Sequence, residues 1–371
     1  MLELFQHWPA SAGSVELWGG TQVSGLDGHP GFHSLNGLGR DHRWLQRYPW
    51  SKRYELEQLD CLWRAIWKLQ RRRADIVYCG DPTLTWHLKR FQRFHGAAVV
   101  FMNGMRLSSS WANHFDGVHL IADPYLTETQ EQLGDRMRAH FFAVPHFVDH
   151  SVFRPASAKE RSEARAALRL PEDAFIVLTV GPIGDVSGKR LDFLAQEIAQ
   201  ASPRIHLLHA GSEEDGGDRV RRTVNECLGN RVHWLGKVSR EGMPQIYQAA
   251  NAYSLGSLAE PFSIAIVEAM ASGLPVIHHQ DHIMRWVVGP GGKAVSMQHR
   301  GEAASALQDL ASSEDYGHLA SAARQWAMER YAPEAICKAI GDQLQETLRL
   351  KARNAKSKAT VALSGSLPID R

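Results

Sequence analysis

The residues best suited to chemistry lie in one stretch, 257–277, which reads SLAEPFSIAIVEAMASGLPVI. It follows a short apolar run at 252–255, so Glu260 falls in a loop at the carboxyl end of a predicted strand, where open parallel sheets bind ligands. Pro261 is placed to open a helix. The backbone N–H groups of Phe262, Ser263 and Ile264 then belong to a first turn that the helix's own ladder does not use. Such groups, at the positive end of the helix dipole, suit a phosphate. Glu268 lies about two helical turns beyond Glu260, so both carboxylates can serve one site. One could accept bonds from sugar hydroxyls and the other from a ribose. The competing reading is a pair of solvated surface acids. Against it, Glu268 sits among Ile264, Ala265, Ile266, Val267, Ala269 and Met270, on a helix apolar nearly all round, where an acid must be buried or partnered.

The elements around this stretch read as α/β. From Asp75 onward, short apolar runs alternate with helical patterns, as parallel sheets with crossover helices do. Strands are predicted at 75–79, 97–102, 117–122 and 141–144, with helices at 83–94 and 125–133. Arg154, Pro155 and the polar run ASAKERSE break the pattern. A second series follows, with strands at 175–180, 204–210, 232–235, 252–255 and 275–278, which is a doubly wound unit. Helices at 302–310, 316–329 and 333–350 close it, Pro333 standing near a helix start. The expected domains are therefore 1–155 and 156–350, with 351–371 a flexible tail. The first fifty residues carry eight glycines, Gly19 and Gly20 among them, and only LELF and VELW look strand-like. Such a stretch either brings backbone close to a ligand or is an irregular loop.

Residues 257–277 resemble the Glu, seven residues, Glu motif of retaining GT-B glycosyltransferases, above all family 4, whose members read close to EPFG…EAMA.GLPV. Four further blocks agree in order. Val180-Gly181 through Lys189-Arg190-Leu191-Asp192 is similar to the family's donor-diphosphate loop, and His209-Ala210-Gly211 to its next strand end. Residues 232–236 with 243–250 resemble "v-x-f-l-G … l-y-x-x-A", and 144–149 with 153–155 the linker "iPNGVD … F.P". The resemblance covers 75–350. It implies a GT-B fold, two Rossmann-like doubly wound domains facing across a cleft, the first binding acceptor and the second a nucleotide-sugar donor. It implies transfer of a sugar, with retention of configuration, to a glycan, lipid-linked or small-molecule acceptor. By the same resemblance Glu268 holds the ribose, Lys189 the diphosphate, the N–H groups of Ser263 and Ile264 a phosphate, and Glu260 the transferred sugar. Glu260 and Lys189 are the catalytic pair; Gly181, Arg190, Gly211 and Phe262 complete the donor side. Acceptor-side candidates are Gly19, Gly20, Asn103 and His278. No cofactor or metal is implied, the nucleotide-sugar being a substrate. The alternatives are a catalytically silent nucleotide-sugar or glycan binder, and an epimerase or phosphorylase on the same fold.

The departures have chemical meaning. Pro182 and Ile183 stand where the family has Gly-Arg, so one diphosphate cation is lost unless Arg190 or another replaces it. Ser263 replaces a glycine. Asn103 stands where members often carry a histidine, and an amide can hydrogen-bond a hydroxyl but cannot act as acid or base. His146 and Phe147 replace the linker's Asn-Gly. The loop's Gly188-Lys189 is not a P-loop, since that motif needs glycine at 183 and Ser or Thr at 190; the chain has Ile183 and Arg190.

Composition excludes other classes. The 42 Lys and Arg against 40 Asp and Glu leave +2, too little for a nucleic-acid protein neutralising many phosphates. No apolar run approaches the ~18 residues that span a bilayer. The start, MLELFQHW, has Glu3 where a signal peptide has Lys or Arg, so the protein reads as cytoplasmic, with the inner membrane surface as the alternative location. Cys61, Cys79, Cys227 and Cys337 form no Cys-x-x-Cys pair and read as reduced thiols. His278, His279, Asp281 and His282 read as a polar loop facing the site in preference to a metal cluster. Eight of the 11 tryptophans fall within the first 111 residues. In the segment 55–73, Trp63 and Trp67 at i and i+4 are read as core, with Arg71, Arg72 and Arg73 as a solvated helix end. The alternative is an aromatic and basic surface for anionic lipid or an acidic glycan.

Overall fold

Runs such as AVVFM and FIVLTV are too short for helices and too apolar for an exposed strand. They form the centres of two parallel sheets in the computed structural model of the protein, which describes residues 4, 6–19, 31–35, 37–39, 41–184 and 187–364, those after 355 by backbone alone. By packing, the chain divides into two compact units, Met1–Pro145 with Glu334–Arg371, and His146–Pro333.

In the first unit β1 (Leu17–Gly19) and β2 (Phe32–Ser34) pair in parallel apart from the main sheet. Helix α1 (Trp50–Arg71) leads to β3 (Ile76–Cys79), α2 (Pro82–Arg90), α3 (Gln92–His95), β4 (Ala98–Asn103), β5 (Gly117–Leu120), α4 (Asp123–Leu133) and β6 (His140–Ala143). The four-stranded sheet runs β3-β4-β5-β6, all parallel. Asp81 starts α2 by accepting from Leu84 N at 2.8 Å, with Pro82 at the first helical position, where a missing N–H costs nothing. The helix expected at 83–94 is interrupted at Phe91, which ends α2 and begins α3.

One expectation here is corrected. Trp63 and Trp67 are not core residues: they are 58% and 56% exposed, while Leu62, Ala65, Ile66 and Leu69 are buried. At about 100° per residue the two sets lie on different flanks of α1, which packs on α2 and α3, and the aliphatic flank is the one covered.

The second unit contains α5 (Ala158–Ala167), β7 (Phe175–Val180), α6 (Leu191–Gln200), β8 (Ile205–Ala210), α7 (Gly217–Leu228), β9 (Val232–Gly236), α8 (Met243–Ala249), β10 (Ala252–Ser254), α9 (Ile264–Ala271), β11 (Val276–His279), α10 (His282–Val288), β12 (Gly292–Val295), α11 (Glu302–Ser312) and α12 (Tyr316–Arg330). Its six parallel strands are ordered β12-β11-β10-β7-β8-β9. The chain thus builds outward from β7 to one edge, returns, and builds from β10 to the other. The reversal between β7 and β10 leaves a crevice at the strands' carboxyl ends. Between sheet and helices pack Val177, Leu194, Ile198, Leu207, Ile277 and Leu307, all 1% exposed or less. A capping box at Ser157 and Glu160 opens α5, a signal carried by the sequence itself.

The boundary differs from the expected 155/156, since His146 onward packs with the second unit. The last helix, α13 (Pro333–Ser364), packs from Glu334 with the first unit, although 333–350 was expected to close the second. Thr347, 1% exposed, bonds His140 Nδ1 of β6 at 2.9 Å, and the Lys351 ammonium donates to Gly96 O at 3.1 Å. The backbone is helical through Ser364, where a flexible tail was expected from 351. Its Ala, Lys and Arg content has high helix propensity, which outweighed the absent periodicity. Residues 365–371 lie outside the described residues. Among the described residues, no helix is long and apolar enough to cross a membrane.

Candidate active site

The loops leaving β7 and β10 meet at the sheet's reversal point. Gly181, just past β7, has φ +145°, and a Cβ there would lie 3.0 Å from Lys189 Cε. The missing side chain is the space through which the Lys189 stem passes. At its end the ammonium donates to Glu260 Oε1 at 2.7 Å, with the two side chains 22% and 10% exposed. Gly211 is required by a closer approach: a Cβ on it would stand 1.8 Å from Gly181 O. The same carbonyl accepts from His209 Nε2–H at 2.9 Å. Burial pushes the His209 imidazole down to about 4, so it is neutral and locked as a donor at neutral pH.

Arg190 is spent on holding the loops together. At φ +47° its guanidinium donates to Gly256 O at 3.3 Å and Met297 O at 2.5 Å. It also lies 4.4 Å from the centre of the Phe193 ring. Gly256 can only be glycine here, because a Cβ would fall 2.4 Å from Arg190 O. Arg190 therefore positions the loops from behind, and Lys189 is the cation it leaves facing Glu260.

The first turn of α9 stands beside this pair. Phe262, 2% exposed, is wedged edge-on against His146 at 5.2 Å and Tyr331 at 5.7 Å, which fixes where the helix begins. Ser263 takes φ 63° and ψ 89°, the left-handed conformation that glycine adopts without strain. Glu268 is 3% exposed. Its Oε1 accepts from Arg240 Nη1, and its Oε2 accepts from the Tyr247 hydroxyl at 2.8 Å. Burial and the adjacent Glu268 charge push the Tyr247 phenol well up, so it stays a donor. The Arg240 guanidinium rests 5.0 Å over the Phe153 ring. Tyr247 lies within a block noted in the sequence; Arg240 carried no signal there, standing outside every motif.

Residues 160–326 match the family model of the glycosyl transferases group 1. The second unit belongs to that family. Among characterised relatives, a D-inositol 3-phosphate glycosyltransferase of Mycolicibacterium smegmatis is 36% identical over 135 residues, 35% of this chain and 30% of that protein. A mannosylfructose-phosphate synthase of Agrobacterium fabrum is 30% identical over 151 residues, 38% and 32% of the two chains. The alignments thus span about a third of these relatives' own length. Among solved structures, the sucrose-phosphate synthase of Thermosynechococcus elongatus superposes with a TM-score of 0.75 at 20% identity, covering 93% of this chain and 91% of that one. Anabaena HepE in complex with UDP and glucose gives 0.66 at 20% identity, covering 78% and 83%. The fold is GT-B.

In this group 1 unit the remaining candidates have structural tasks. His278, 3% exposed, donates from Nδ1 to His279 O at 2.6 Å. His279 Nδ1 accepts from Met297 N at 3.1 Å. Asp281 caps α10 through Ile283 N and Met284 N. Among the described residues no group of three His, Cys, Asp or Glu is arranged to hold a metal. The acceptor-side candidates of the first unit are also committed. Gly19 ends β1 and pairs with Ser34, while Gly20 lies outside the described residues. Asn103 is 3% exposed, its amide donating to Leu107 O and accepting from Leu107 N, both at 2.9 Å. It closes the turn after β4.

Proposed function

We propose that the protein transfers a sugar from a nucleotide-sugar donor to an acceptor hydroxyl, with the donor diphosphate seated at the β7–β10 reversal. The observation that carries this reading is the 2.7 Å contact of Lys189 with Glu260, a cation from one loop and a carboxylate from the other at the point where such sheets bind ligands. Departure of a nucleoside diphosphate builds negative charge. The Lys189 ammonium and the N–H groups of Ser263 and Ile264, at the positive end of α9, are the groups placed to stabilise it. These protein charges do the work, so no metal or cofactor enters the reading. Donor phosphates draw Lys189 from Glu260, which turns to the hydroxyls of the transferred sugar, and Glu268 receives the ribose. Retention of configuration follows the resemblance to family 4, in which the leaving phosphate helps deprotonate the acceptor and no protein nucleophile is needed. The acceptor is a glycan, a lipid-linked sugar or a small molecule, and the UDP bound by HepE makes UDP-sugars the first donors to try.

One observation favours a second reading, a silent binder of nucleotide-sugars. Arg190 is tied to Gly256 O and Met297 O and does not replace the family's missing arginine. Nucleotide release from UDP-, GDP-, ADP- and dTDP-sugars separates the two, with Glu260→Ala and Glu268→Ala alongside. The transferase reading expects release by the parent, even if slow, and its loss in both variants. Release from no donor or acceptor mixture, with a nucleotide-dependent rise in melting temperature, would establish the silent binder.

A further inference from the structure

Helix α1 has two apolar flanks. Leu62, Ala65, Ile66 and Leu69 are buried, but Leu59, Trp63 and Trp67, spaced i, i+4, i+8, are 39%, 58% and 56% exposed. The outer flank does not end with the helix. The Trp63 ring packs at 5.5 Å on Phe91, and Phe91 at 6.1 Å on Phe94, which is 47% exposed at α3. The result is an aromatic ridge crossing from α1 to α3.

Arginines sit on the rings themselves. The Arg71 guanidinium lies 3.4 Å over Trp67 and that of Arg93 4.8 Å over Phe94; Arg73 and Arg90 are exposed at the same ends. The nearby carboxylates are already matched, Glu55 by Lys52 at 3.2 Å, Asp60 by Arg64 at 2.9 Å and Asp116 by Lys89 at 2.8 Å. What remains is a basic, aromatic ridge of the kind that marks an interaction surface.

We propose that this ridge docks the first unit on an anionic lipid surface. A helix lying in a bilayer interface sinks its aromatic flank to headgroup depth, where tryptophan is favoured. Its arginines then reach lipid phosphates, to which a guanidinium binds in a fork. A second copy is a poor occupant, because a two-fold pairing of this ridge would set the arginines of one copy against those of the other. An acidic glycan offers charge but no apolar depth for three exposed rings.

The test uses the full chain and flotation with vesicles of phosphatidylcholine alone or mixed with phosphatidylglycerol. Binding to the mixed vesicles only, lost as salt is raised, is expected, with a blue shift of tryptophan emission. Trp63→Ala with Trp67→Ala, and separately Arg71→Glu with Arg93→Glu, should each weaken binding about tenfold or more at unchanged melting temperature. No flotation with anionic vesicles at low salt, or equal flotation by the tryptophan variant, would overturn the proposal. So would a dimer in solution that the tryptophan variant splits, which would assign the ridge to a second copy.

Discussion

Glu268 is held from two sides, and its partners differ in how readily they can let go. Tyr247 is fully buried, whereas the Arg240 side chain is 47% exposed against 4% for Glu268. On the proposed reading of Glu268 as the ribose ligand, a ribose hydroxyl displaces Arg240 while the phenol keeps the carboxylate aimed. Because the Glu268 carboxylate is buried, Arg240→Ala should lower the melting temperature, while UDP binding in calorimetric titration should be kept or tightened, since a ribose hydroxyl no longer competes with Arg240 for the carboxylate. Glu268→Ala should weaken it by about ten- to a hundredfold; unchanged affinity would reduce Glu268 to structure. Ser263 offers a backbone test. Its φ of 63° costs a non-glycine residue about 1–2 kcal/mol. Ser263→Gly should keep or raise the melting temperature and preserve nucleotide release, whereas Ser263→Val, β-branched in a left-handed conformation, should lower the melting temperature. Both carboxylates were legible in the sequence because they lie in one contiguous motif. Arg240 was not, since it reaches Glu268 from 28 positions away and its packing on Phe153 belongs to the tertiary structure.

At the scale of elements, the site depends on how closely the ends of β7, β8 and β10 approach. Gly211 and Gly256 are the contacts that permit it, each leaving room for a carbonyl of the neighbouring loop. Gly211→Ala must push Gly181 aside and with it Lys189. A loss of at least about 3 kcal/mol in denaturant unfolding is expected, together with loss of donor binding; a variant of parental stability and affinity would show that the strand ends are looser than this geometry. The central strands were readable from their apolar runs, which need two buried faces. Strand β12 was not, because Gly-Lys-Ala-Val has neither an apolar run nor a clean alternation. The outward flank of α1 was misjudged for a related reason. Periodicity finds the apolar positions of a helix but not which of two apolar flanks its neighbours will cover.

Across the whole molecule, burial lowers the pKa of His95, His140, His206, His209, His233 and His278. Each such imidazole binds a proton more readily once unfolded, so the stability it contributes is fully present above pH 6.5 and is lost as pH falls through the folded value. His209, shifted to about 4, alone corresponds to about 3 kcal/mol. Melting temperature should hold between pH 7 and 8 and fall steadily from 6.5 to 4, and His209→Gln should flatten the lower part of that fall. A level profile would show that these imidazoles are not kept neutral by the fold. The sequence by itself determined the α/β class, the strands of the second unit's centre and the two loops that carry Lys189 and Glu260. Each of these is written in neighbouring residues, through apolar runs, turn chemistry and helix starts. Tertiary structure alone decided that Arg190 braces the loops, that Arg240 meets Glu268, that α13 joins the first unit and that Trp63 and Trp67 face outward. Those outcomes are sums of many small contacts between distant segments, and no local pattern encodes such a sum.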